Sequence, residues 1–123
     1  MADGVNEVRL IGNMGQGFEF SYLPSGTPVA RFNLGTTKGR RNQTSGQREE
    51  STQWHRLVVY GRMAEVLNER AGIGAQLYIA GELEYRTFGQ PGQERTIAEI
   101  VINAYDGKVN ILKFGKSRTE NNE

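Results

Sequence analysis

The chain has 123 residues, the length of one domain, with 37% hydrophobic residues, no cysteine, one histidine and a formal net charge of +1. Without cysteine there is no disulfide, thiolate metal site or thiol nucleophile, and His55 alone does not make a histidine-based zinc site. No apolar run reaches the 18 residues of a membrane-spanning helix, and Met1-Ala2-Asp3-Gly4 opens without the basic and apolar regions of a signal peptide, so a cytoplasmic, nucleoid-associated setting is expected.

The balanced charge is unevenly spread. Residues 20–48 contain Arg31, Lys38, Arg40, Arg41 and Arg48 but no acid, and residues 107–119 contain Lys108, Lys113, Lys116 and Arg118 but no acid. Basic strips beside an acidic remainder suit a polyanionic partner.

In chain order, residues 5–12 alternate as a strand, and Gly12 to Gly17 forms a turn cluster. Phe18, Phe20 and Tyr22 recur at period two in the next strand, which Pro24-Ser25-Gly26-Thr27-Pro28 ends. Residues 29–37 read as a strand, and the polar, basic residues 38–51 as a loop or the tip of a long hairpin. Along residues 52–60, Trp54, Arg56, Val58 and Tyr60 point one way, and His55, Leu57 and Val59 the other. The period then changes: Met63, Val66, Leu67 and Ala71 follow helical spacing until Gly72 and Gly74. Residues 76–88 form a long strand with Leu77, Ile79, Leu83 and Tyr85 on one face. A turn at Gly89-Gln90-Pro91-Gly92 leads to a strand over residues 95–105, and residues 109–112 add a short one. Residues 117–123 read as a frayed polar end.

A single short helix between the third and fourth strands of a small barrel is the layout of the oligonucleotide/oligosaccharide-binding (OB) fold. The predicted fold is therefore all-β: a five-stranded Greek-key OB barrel with one short α-helix between strands 3 and 4. It occupies residues 1–112, followed by a polar tail over residues 113–123.

No catalytic constellation emerges, and the chain reads as a binding module, not an enzyme. Glu82 and Glu84 share a strand face but lack further ligands, so neither a metal nor another cofactor is expected. Gly12-x-x-Gly15-x-Gly17 is not followed by a helix and is a turn, not a dinucleotide motif. Trp54, Arg56 and Tyr60 are more informative. Arginine is rarely buried unpaired, so a face that combines it with two aromatics suits a stacking platform: rings stack on bases and the cation meets the phosphate between them. Phe88, at a hairpin tip, invites a partner in the same way.

These residues resemble those of the bacterial-type single-stranded-DNA-binding proteins (SSB) from about Gly4 to Leu112. The motifs are Gly4-Val5-Asn6-x-Val8, Gly12-Asn13-x-Gly15-Gln16, Thr52-x-Trp54-His55-Arg56-x-Val58-x-x-Gly61, Ala64-Glu65-Val66 and Gln76-x-Tyr78-Ile79-x-Gly81-x-Leu83. The resemblance implies a homotetramer that binds and protects single-stranded DNA without regard to sequence during replication, recombination and repair. It puts base-stacking roles on Trp54, Tyr60 and Phe88, a DNA contact on Arg56, and subunit contacts on His55, Gln76 and Tyr78. Arg40 replaces a stacking tryptophan of the family, so a charge contact, with Lys38 and Arg41 beside it, stands in for a ring. The end at Thr119-Glu120-Asn121-Asn122-Glu123 lacks the family's acidic Pro-Phe tip, as in a shortened chain or a tailless plasmid, phage or mobile-element member. Recruitment of replication and repair proteins is therefore left open. The competing reading is a primosomal-type OB accessory module that recruits replication proteins.

Overall fold

Period-two alternation of apolar side chains lets each strand bury one side, and a sheet closed on itself buries all those sides against one another. In a computed structural model describing residues 3–116, this produces β1 (Val8–Met14), β2 (Glu19–Tyr22), β3 (Pro28–Arg41), β4 (Arg48–Tyr60), α1 (Arg62–Arg70), β5 (Gln76–Phe88), β6 (Arg95–Ile102) and β7 (Lys108–Lys113). Five strands close the barrel in the cyclic order β1-β3-β4-β6-β5 and back to β1. Only the β4–β6 contact is parallel, and it joins Leu57 to Ile100, Val58 to Val101 and Val59 to Ile102. The short β2 pairs with β3, and β7 with β5, outside the closed ring. The helix lies between the third and fourth barrel strands, as the OB layout requires.

The interior is built from Met14, Phe32, Leu34, Leu57, Val59, Leu77, Ile79, Ile100 and Ile102, with Ala64 and Leu67 of α1 packed against it. Burying a large aliphatic side chain contributes about 1.5–3 kcal/mol, so this cluster is the main source of cohesion. On β4, Leu57 and Val59 are buried inside while Trp54 and Arg56 face out, as the alternation predicts.

Several boundaries differ from the sequence reading for identifiable reasons. The first strand starts at Val8, not residue 5. Residues 5–7 are outside the ladder, and the Asn6 side chain substitutes for a strand: its Nδ2 donates to the Leu83 carbonyl at 2.8 Å, and its Oδ1 accepts from the Leu83 N–H at 2.9 Å. The expected turn at Gly12 is strand through Met14, because Asn13 and Met14 pair with Gly35 and Leu34 of β3 while Asn13 still lies opposite Gln76 of β5. Gly12 permits this bend, since a Cβ there would run into the Gly35 carbonyl oxygen. Residues 38–51 are the tip of a long hairpin. The Asn42 Oδ1 closes it by accepting from the N–H groups of Thr44 and Ser45 at 2.8 and 3.0 Å.

The strand expected to reach residue 105 stops at Ile102. The Asn103 side chain accepts from the N–H groups of Tyr105 and Asp106 at 2.8 and 2.9 Å, turning the chain and leaving Tyr105 98% exposed. Tyr85, expected on one face with Leu77 and Ile79, does not share their burial: it is 70% exposed because the β5–β6 hairpin outruns the barrel. Paired structure continues past residue 112: Lys113 lies opposite Gln76, and the Lys116 N–H donates to the Ile73 carbonyl at 3.0 Å. The expected fraying of residues 117–123 falls outside the described residues.

Gly12→Val should lower stability by roughly 1–3 kcal/mol through overpacking at the bend. The measurement is a lower urea midpoint with an unchanged denaturant slope.

Candidate nucleic-acid interface

Residues directly opposite one another in a ladder share a face. Outward from Trp54 on β4, the register places Gly35 of β3 beside it, then Asn33 beside Arg56, Arg31 beside Val58 and Val29 beside Tyr60. Across the parallel joint Val58 meets Val101, and along the next hairpin Glu84 faces Glu99, Arg86 faces Ile97 and Phe88 faces Arg95. Trp54, Arg56, Tyr60 and Phe88 therefore lie on one continuous outer face of β3, β4, β6 and β5. The joint pairs only three residues of each strand, so the β3–β4 and β5–β6 hairpins part beyond it. Between them is a cleft of about 330 Å³, lined by Trp54, His55, Arg56, Leu83, Ile97, Ala98 and Ile100.

Each aromatic is held differently. Trp54 is 59% exposed. Its six-membered ring rests over Gly15 and Gly35, where an added Cβ would come within 2.7 and 2.9 Å of the indole. Any side chain at either position would displace the ring. A second hollow of about 540 Å³ opens beside it, walled by Met14, Gln16, Asn33, Ile73 and Gly74. Tyr60 is half-buried at the end of β4. Phe88 is 39% exposed, and the Arg86 guanidinium carbon lies 5.4 Å from its ring centroid, in cation–π range.

The cations are arranged less simply than the sequence suggests. Lys38, Arg40 and Arg41 are exposed at the β3–β4 tip. Glu49 faces Arg40 and Glu50 faces Gly39, so the acid-free stretch of sequence is not acid-free in space. Arg48 lies 3.7 Å from Glu50, and Glu49 accepts from Asn42 Nδ2 at 2.6 Å. Away from that tip the outer face holds, in addition to Arg56, Arg31 on the barrel and Arg86 and Arg95 on the β5–β6 hairpin, all exposed. The sequence reading did not assign these three to the site. Arg86 precedes Phe88 by two and Arg31 precedes Asn33 by two, so strand phase was the available signal. The reading also missed Glu99, which is 8% exposed and ion-paired to Arg86. Nothing in its sequence surroundings signals burial.

The three residues expected at subunit contacts do not converge within one chain. His55 is half-buried on the side of β4 opposite Trp54, its Nε2 2.9 Å from the Thr36 hydroxyl. Gln76 and Tyr78 are half-buried on the first half of β5, where Tyr78 pairs with the 55% exposed Ile11 of β1. Among the described residues, no three His, Asp or Glu side chains gather into a metal-sized cluster.

The closed barrel and its aromatic, guanidinium-bearing outer sheet define a ligand-binding OB module. Residues 5–111 match the Single-strand binding protein family, and the chain belongs to that family, whose members are non-enzymatic DNA-binding proteins. Among solved structures it is similar to one titled "Plasmodium falciparum SSB complex with ssDNA": 27% identity, TM-score 0.81, covering 92% of this chain and 99% of that one. It is also similar to a deletion mutant of the single-stranded DNA binding protein from Thermus aquaticus. There identity is 26% and the TM-score 0.70, with 92% of this chain and 53% of that one covered.

Because Trp54 is the only tryptophan, its environment can be read directly. Gly35→Val should lift the indole off β3. The expected result is a longer emission wavelength and stronger acrylamide quenching, with the far-ultraviolet circular dichroism unchanged.

Proposed function

We propose that the protein binds and protects single-stranded DNA without sequence preference during replication, recombination and repair, as a homotetramer. The observation that carries this reading is the joint placement of Trp54, Tyr60 and Phe88 with Arg31, Arg56, Arg86 and Arg95 on one outer sheet face. Every base has a flat face, so stacking on rings tolerates any sequence. A duplex hides those base faces, which favours the single strand. The family membership and the Plasmodium falciparum structure, a complex with single-stranded DNA, support the same ligand.

Three stacked bases at ~1–3 kcal/mol each supply roughly 3–9 kcal/mol per subunit before the cost of ordering the strand. With about four phosphates neutralised per subunit, the logarithm of affinity falls with the logarithm of salt at a slope near −3. Stacking then dominates at high salt and charge at low salt. Arg40, where the family carries a ring, moves the balance toward charge, assisted by Lys38 and Arg41. The tetramer places His55, Gln76 and Tyr78 at subunit contacts, where exposed Ile11 beside Tyr78 supplies apolar surface to bury.

Titrating oligo-dT should strongly quench Trp54 fluorescence, with clear preference over duplex DNA, and light scattering should give a mass of four chains. Trp54→Ala, followed with a labelled oligonucleotide, should lose the ~1–3 kcal/mol of one stacked base, about 5- to 150-fold in affinity. Absence of quenching at low salt would overturn the stacking mechanism, and a stable monomer would overturn the subunit assignments.

A further inference from the structure

The DNA face holds a carboxylate that the reading above does not use. Glu99 is the one buried polar or charged residue among those described, although it lies on the outer sheet face amid the cations. Its Oε1 accepts from Arg86 Nε at 3.3 Å, and its Oε2 from Arg86 Nη2 at 3.2 Å, a two-pronged pairing. Arg31 Nη1 is 4.0 Å from the same Oε2. Arg31, Arg56, Arg86 and Glu99 line one hollow of about 260 Å³, and Glu19 lines it too. The same Arg86 guanidinium lies over the Phe88 ring, its carbon 5.4 Å from the ring centroid.

Stability does not call for this arrangement. The β5–β6 ladder is paired from Glu82 opposite Val101 to Phe88 opposite Arg95 without it. A buried carboxylate loses hydration, and apolar replacements of such pairs are often neutral or stabilising. Glu84, directly opposite Glu99, adds a like charge. An anion among phosphate-binding cations also opposes the ligand by simple Coulomb repulsion. Its benefit is geometric: the forked contact fixes the orientation of a guanidinium that lies over the ring two residues along the strand.

We propose that Glu99 is a positioning residue for the DNA face, holding Arg86 against Phe88 so that the β5–β6 hairpin presents ring and cation as one prearranged unit. The inference rests on the single-stranded DNA reading. It predicts a sign opposite to electrostatics: removing this negative charge weakens DNA binding.

The test uses a labelled oligo-dT at several salt concentrations, with circular dichroism as the check on folding. Glu99→Gln is expected to bind about fivefold or more weakly, from the coupling of contacting residues. Its salt slope should shrink by about 0.7, the share of one phosphate contact. In the Glu99→Gln background, Arg86→Ala should cost less than about twofold further, because the two residues act as a unit. Equal or tighter binding by Glu99→Gln, a steeper slope, or additive losses would overturn the proposal. Arg86→Lys keeps the charge but loses the fork; it should weaken binding to a similar extent even if Glu99→Gln fails to fold, and wild-type affinity there would also overturn it. If the unaltered protein fails to bind oligo-dT, the functional reading falls and this inference with it; binding that is indifferent to Glu99 removes this inference alone.

Discussion

The architecture depends on one short joint. β4 and β6 pair in parallel over Leu57–Val59 and Ile100–Ile102, and this contact turns an open sheet into a barrel. It holds because Leu57, Val59, Ile100 and Ile102 also point into the common core, so side-chain burial reinforces a ladder that is short by itself. Its shortness matters as much as its presence. A longer pairing would zip the two hairpins together and close the cleft between them, which Trp54 and Arg56 line from one side and Ile97 from the other.

Beyond the joint, each hairpin is held by its own ladder. The β3–β4 pairing runs without a break from Val29 opposite Tyr60 to Arg41 opposite Arg48, so its basic tip projects on a stiff support. The β5–β6 hairpin is similarly continuous and carries Phe88 and Arg95 at its far end. Rings and cations on paired strands have less freedom than on loops, and binding then spends less on ordering them. The three rings are braced by different means: Trp54 by glycine backbones, Phe88 by a guanidinium, Tyr60 by partial burial at the strand end.

The outer face is not a plain polar surface. Val58 is 2% exposed and Glu99 8% exposed, although neither belongs to the inward-facing side of its strand. Arginines surround both, their apolar stems available to cover the valine and their charged heads to pair with the carboxylate. A binding face with an interior of its own can hold its side chains in register before any ligand arrives.

Much was legible in the order of residues. Period-two alternation over residues 52–60 separated Trp54 and Arg56 from Leu57 and Val59, and the switch to helical spacing after Gly61 located α1 and hence the OB topology. These are local consequences of strand and helix geometry, so neighbouring residues are enough to reveal them. Boundaries were less legible where a side chain intervened, as Asn6 does beside Leu83 and Asn103 does after Ile102. The partnerships that complete the site were not legible at all. Arg86 with Glu99 across a ladder, Trp54 with Gly15 from a separate strand end, and Glu49 against the basic strip all depend on register between segments far apart or folded back on each other. Sequence determined which side chains each strand would turn outward; only closure of the barrel decided which of them would meet, because that depends on long-range pairing that no local period encodes.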